Sequence, residues 1–301
     1  MMERNLGLDY FRVILSILVI TPHAQPLFEE DSLVGWLISN GIARIVVPCF
    51  FIISGYFLSS KLDDKKALKK YLLHLLLVYV VWSVIYVPVY YNSIEPRSFI
   101  TFALMGYYHL WFLPALIIGV IMLILGNKLT KNKNILLASG IVLYIIGYIM
   151  ENRGLPYRSF YNGIFFGYPF IVSGYFLKNN NIKDGIKNLY LYIIALFSLV
   201  TLLLESYLGY KDEIYHNVFL SLYIICPALF LLVIKNSHYT KAKDYMAKLA
   251  AGIYFIHILV LTAIVPLSEE YNIYNLPLII LVSVLLSIFI IFVNKRIKIF
   301  L

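Results

Sequence analysis

Arg12 and His23 both fall inside the first hydrophobic stretch of the chain, LDYFRVILSILVITPHAQPL. An ionisable side chain in hydrocarbon costs several kcal/mol on most scales, so it faces a cavity or a partner and marks a functional site. The chemistry of the two is complementary. Guanidinium binds phosphate and other anions through a fixed fork of donors, and imidazole exchanges protons near neutral pH. They are eleven positions apart. On a regular helix that is close to three full turns, which points both side chains the same way about 16 Å apart. Such a helix lines a polar path across a bilayer.

Other candidates follow at intervals. Arg44 opens VVPCFFIISGYFLSSK and is expected level with His23 on the next helix, unless it simply snorkels to the interface. His109 lies in YYHLWFLPALIIG. An aromatic belt accounts for Tyr107, Tyr108 and Trp111 there, but imidazole is a poor belt residue. His257, in GIYFIHILVL, reads either as functional or as a hydrogen-bond partner between helices. His74 and His238 lie in or beside basic loops and look ordinary. In ENRGLPYRSFYNG, Arg153, Arg158 and Tyr161 can hold an anionic group or be solvated loop residues. Glu205 ends a hydrophobic run, where burial would call for a partner such as Arg. Walker, dinucleotide-binding, nucleophile-elbow and HExxH patterns are missing from the sequence. The two cysteines, Cys49 and Cys226, support neither a disulfide framework nor a zinc site, and no metal is expected.

The elements that must position these residues are membrane helices. Of 301 residues, 61% are hydrophobic, and mean hydropathy is +0.82, which excludes an ordinary soluble domain. Apolar runs of spanning length lie near 10–27, 34–58, 71–91, 103–126, 135–150, 162–177, 188–206, 215–234, 249–267 and 275–293. The expected fold is therefore all-α and polytopic, a bundle of about ten transmembrane helices, with 1–301 forming one membrane domain and no cleaved signal peptide. With both termini in the cytoplasm, the inner loops hold five Lys in 59–70, three in 127–134, three in 178–187 and four in 235–248. Arg4, Lys295, Arg296 and Lys298 add to that side, against Arg97, Arg153, Arg158 and Lys211 outside. This is the asymmetry of the positive-inside rule. The net charge of +9 then reflects topology and anionic lipid, and no nucleic acid partner is implied. Ser54-Gly55 and Gly119, Gly147, Gly174 and Gly252 read as helix-packing positions.

The spacing of Arg12 and His23, with ten residues between them, resembles the Arg-X10-His signature of the acyltransferase-3 family of integral membrane acyltransferases. The likeness continues through Arg44 with VPCFFIISGYF, HLWFLPALIIG, GYPFIVSGYFL and GIYFIHILV, and so covers nearly the whole chain. Within that family the wording resembles the membrane domain of VanT-type serine racemases. The resemblance implies transfer of an acyl group, usually acetyl from cytoplasmic acetyl-CoA, to a hydroxyl of an outward-facing cell-envelope carbohydrate, in a bacterial plasma membrane. On that reading Arg12 binds the acyl-CoA donor, and His23 is the general base. Arg44 and His109 support the oxyanion or orient His23, and Arg153, Arg158, Tyr161 and Glu205 meet the acceptor. The VanT likeness also implies an alternative, a membrane transporter of a serine-like amino acid. Arg12, His23, Arg44 and His109 are expected to share one interior cavity.

Overall fold

The structure is a computed structural model that describes residues 3–29, 31–91, 99–241, 243–264 and 275–301. Arg97, Glu30, Glu95, Glu269, Glu270 and the end of the ninth expected span lie outside the described residues. Each of the ten expected spans meets a helix. These are α1 (Leu6–Leu18), α2 (Leu33–Lys61), α3 (Lys65–Ile85), α4 (Tyr108–Thr130), α5 (Lys133–Asn152), α6 (163–179), α7 (Asn188–Lys211), α8 (Leu222–Asn236), α9 (Tyr245–Ile264) and α10 (Asn275–Ile297). Among the described residues seven of them, α2, α3, α4, α5, α7, α9 and α10, are long and apolar enough to cross a membrane. The chain is an all-α polytopic membrane protein. One two-stranded antiparallel ribbon, β1 (Glu3–Asn5) with β2 (Tyr239–Lys241), ties the start of α1 to the segment that leads into α9.

The first span departs from expectation. Asn5 caps α1 by accepting the amide of Leu8 at 2.8 Å, so the helix starts earlier than the hydrophobic run suggests. It ends at Leu18, because Pro22 and Pro26 withdraw donors just downstream. Beyond it the chain tightens into turns in which Ile20, Thr21 and His23 donate three residues back. His23 is therefore past the α-helix, and a uniform rise from Arg12 to His23 does not hold.

The centre of the bundle is a crossing of α2 and α6 built from a repeated sequence. FIISGYFL at 51–58 recurs as FIVSGYFL at 170–177, differing only at Ile53 and Val172. A Cβ on Gly55 would collide with the carbonyl oxygen of Ile171, and one on Gly174 with that of Ile52. Those are equivalent positions of the two copies, so the crossing has a local two-fold relation. Small residues permit this close approach of backbones, which in lipid must be held by packing. Ser54 donates to the Phe50 carbonyl at 2.8 Å and Ser173 to that of Pro169 at 3.0 Å, again matching positions. Each copy is preceded by π-helical backbone, at Leu37–Gly41 and at Gly163–Gly167. Wider turns of this kind recur at functional sites.

Candidate functional site

The irregular pieces of backbone converge. The turns after α1, the π-helical and 3-10 stretch of α2, the 3-10 start of α4 (Tyr108–Trp111) and the π-helical start of α6 surround one cavity of about 490 Å³. Non-helical backbone at membrane depth is tolerated where it lines a cavity or is buried in protein. Gly106 and Tyr108 take left-handed conformations at its rim, with φ of 80° and 50°. At Gly106 a Cβ would fall 2.6 Å from the Trp111 amide nitrogen, so only glycine fits.

His23, Arg44, His109, Arg158 and Tyr161 all line this cavity, as do Tyr108, Trp111 and Tyr157. The belt reading of Tyr108 and Trp111 is therefore replaced by a cavity wall. Trp111 packs on Tyr161 with ring centres 4.3 Å apart, and Arg158 lies over Phe102 at 4.3 Å. Arg44 is held rather than snorkelling. Its Nη1 donates to Asn217 at 2.8 Å and its Nη2 to Asn40 at 3.0 Å, while Nε is buried and unpartnered. No carboxylate pairs with Arg44 among the described residues. The full positive charge is thus left for whatever enters the cavity.

Asn217 is in turn fixed by Glu151, which accepts from its amide at 2.7 Å, from its Nδ2 at 3.0 Å and from the Val218 amide at 2.8 Å. Truncating Glu151 to Ala strips these donors, at a cost of about 1–3 kcal/mol, and releases Arg44. The expected result is a lower melting temperature in detergent and reduced activity per folded molecule. Glu205→Ala should lower stability similarly while leaving activity per folded molecule intact.

That control follows from where Glu205 sits. It accepts from the amides of Leu220 and Ser221, at 2.9 and 3.1 Å, and from the Ser221 hydroxyl, and so caps the approach to α8. Its partner is a helix start rather than an Arg, and it lies away from the cavity. Arg153 is exposed at the end of α5 and does not line the cavity either. Neither of the two joins the candidate acceptor residues Arg158 and Tyr161.

Arg12 is also elsewhere, contrary to the single shared cavity expected for it. Asp9 holds it at 3.0 Å while accepting from Arg4 Nε and Nη2 at 2.8 and 2.9 Å, so one carboxylate faces two guanidinium groups. Arg12 lines a second cavity of about 270 Å³ with Ser54, Tyr71 and an otherwise apolar wall. His74, read from sequence as ordinary, lines it too. The two cavities draw on successive parts of α1 with its following turns and of α2, since His23 and Arg44 line the first and Arg12 and Ser54 the second. A small extension of about 90 Å³ carries His23, Arg44 and His109 to Tyr254, and Tyr254 also lines the Arg12 cavity. Phe50 and Phe112 pack against that tyrosine, 6.0 and 5.5 Å from its ring. Its hydroxyl donates to the His109 carbonyl at 2.8 Å.

Sequence reasoning passed over several of these residues. Asn40, Asn217, Glu151 and Asp9 carry no motif in the sequence, and only their links to Arg44 and Arg12 reveal them. His257 is fully buried, and its ring lies 5.4 Å from His23 and 5.0 Å from His109. The three imidazoles do not form a metal-holding group among the described residues.

Fold and site define a multi-pass membrane protein with a histidine-lined interior cavity and a second, arginine-headed cavity, with Tyr254 lining both the second and the extension of the first. The acyltransferase-3 profile, described as an acyltransferase domain, matches residues 5–293, and the chain belongs to that family. It is 32% identical over 225 residues to an amino-acid racemase of Enterococcus faecalis, covering 66% of this chain and 31% of that protein. To the serine/alanine racemase of Enterococcus gallinarum it is 28% identical over 290 residues, covering 84% of this chain and 40% of the relative. A second Enterococcus faecalis amino-acid racemase is 24% identical across 99% of this chain and 48% of its own length. The chain thus spans less than half the length of these relatives. No solved structure matches it.

Proposed function

We propose that this membrane domain transfers an acyl group, acetyl from acetyl-CoA, to a hydroxyl of a cell-envelope carbohydrate on the far side of a bacterial plasma membrane. The observation that carries this reading is the pair of cavities meeting at Tyr254, one headed by Arg12 and the other lined by His23, Arg44 and His109. The Asp9 carboxylate faces two guanidinium groups, so the Arg12 cavity keeps an excess positive charge suited to an anionic donor. Its apolar wall suits the acyl-bearing arm. With both termini in the cytoplasm, an orientation supported by the basic inner loops, that cavity opens on the side where acetyl-CoA is found.

The chemistry then balances as follows. The acceptor hydroxyl attacks the thioester carbonyl carbon while His23 takes its proton. Arg44, at the cavity wall, stabilises the oxyanion through its charge. Collapse breaks the carbon–sulfur bond, and the proton held by His23 ends on the departing thiolate as CoA-SH. On this reading Arg158 and Tyr161, which line the same cavity, meet the acceptor.

Vesicles of both orientations, given labelled acetyl-CoA, test this. Inverted vesicles are expected to consume the donor, and right-side-out vesicles to leave it. Arg12→Ala should raise KM for acetyl-CoA about 10- to 100-fold, the worth of a charged hydrogen bond, with kcat little changed. A second reading draws on the relatives named as serine/alanine and amino-acid racemases, and makes the domain a transporter of a small amino acid. It requires labelled serine to enter the vesicles and acetyl-CoA to remain unbound.

A further inference from the structure

His257 has a hydrogen-bonding arrangement that singles it out. Its Nδ1 lies 2.7 Å from the Tyr254 carbonyl oxygen and 3.3 Å from that of Ile253. Carbonyl oxygen only accepts, so Nδ1 carries the proton, and in the neutral ring the lone pair is confined to Nε2. That Nε2 is buried without a partner. An orphaned acceptor at this depth is costly, so it is retained where something uses it.

The neighbours supply the use. The His257 ring centre is 5.4 Å from that of His23. Two imidazoles joined by an N–H···N bond of about 3 Å have centres about 5 Å apart, so a small rotation of His23 closes the bond. His109 stands 5.0 Å away on another side. One lone pair accepts one N–H at a time. His109 borders the same cavity and extension but is held edge-on to Tyr86 and is almost wholly buried, whereas His23 is only half-buried.

We infer that His257 is a positioning residue for His23: its Nε2 accepts one N–H of His23 and so turns the basic nitrogen of His23 towards the cavity. The inference deepens the proposed transfer reaction and rests on it for its catalytic meaning. When His23 takes the hydroxyl proton it becomes an imidazolium with two N–H groups. One stays on His257 Nε2, and the other passes its proton to the thiolate as the carbon–sulfur bond breaks. This is the role of the third member of a nucleophile–base–orienter set, filled here by a neutral group. A neutral acceptor suits the depth of the site, since a buried carboxylate would need its own compensation.

Two measurements on the full chain in nanodiscs test this. Nitrogen NMR of the imidazoles, with the His23 signals assigned by their loss in His23→Asn, reports which ring nitrogen of His23 is protonated. The wild type is expected to populate one tautomer, and His257→Leu a mixture, while His257→Gln, which keeps an acceptor near the Nε2 position, restores the single form. In parallel, His257→Leu should lower kcat by about 10- to 100-fold, as losing an orienting partner does, with KM for acetyl-CoA unchanged and His257→Gln recovering most of the rate. An unaltered His23 tautomer in a folded His257→Leu protein overturns the inference, as does a change confined to His109. If the Leu variant does not fold, the Gln variant carries the test, and a mixed His23 tautomer in it overturns the inference equally. The NMR result stands whether or not acetyl-CoA is the donor. Inactivity of the wild type with every acyl-CoA would therefore remove the reaction without touching the coupling of the two rings.

Discussion

Replacing His23 with Ala is expected to abolish acyl transfer. A positioned general base contributes about 10²–10⁴-fold, and His23 is the most exposed of the three imidazoles gathered there. His109 is almost fully buried, and His257 lies behind both. The substitution should leave the protein folded, because His23 is only half-buried and sits in the turns beyond α1 rather than in the packed α2–α6 crossing. The measurement is turnover of labelled acetyl-CoA by purified protein beside a size-exclusion profile matching the wild type. Arg12→Ala provides the contrast, since it should act through KM. Full turnover by the folded His23 variant would sink the catalytic assignment.

Substituting Val for Gly55 or Gly174 is expected to produce the largest loss of stability of any single change in the bundle. Each new Cβ would drive into a backbone carbonyl of the opposite helix, and backbone cannot rotate away as a side chain can. Overpacking costs about 1–3 kcal/mol where neighbours can yield; here the rigid partner puts the cost at the upper end or beyond it. Because the two glycines are equivalent positions of one repeat, the two variants should suffer alike. Gly185→Ala, where nothing lies within 4 Å, is the matched control. Thermal unfolding in detergent reads the effect. A melting temperature for Gly174→Val equal to that of the control would mean that the crossing is not where the fold is held together.

Much of this was legible in the sequence because the membrane makes polar residues conspicuous. Arg12, His23, Arg44 and His109 stand out against hydrocarbon, and three of them share a cavity. The separation of Arg12 was hidden, since it depends on where α1 stops and on Asp9, an acidic residue one turn away that reads as a flank. His257 looked like a lone helix-packing histidine because nothing in linear order brings it near residues 23 and 109. Glu205 reads in the sequence as an acid that calls for an Arg partner, and Glu151 draws no such reading. In the fold one caps the approach to α8, and the other holds Asn217 and through it Arg44. The glycines at 55 and 174 were readable as packing positions, whereas their mutual contact emerged only once the two FI-SGYFL copies were seen to cross.

Tyr254 has one more consequence. Where both cavities hold water, each is an electrical extension of the solution on its own side, and the membrane voltage falls mostly across the ring between them. In the proposed reaction acetyl-CoA and CoA-SH carry the same charge inside, and the acceptor hydroxyl and its ester are both uncharged outside. The acyl group moving out and the proton moving in across that ring therefore leave no net charge displaced. Turnover would proceed alike with or without a membrane voltage, driven by the thioester alone, although the field is steepest where the group passes.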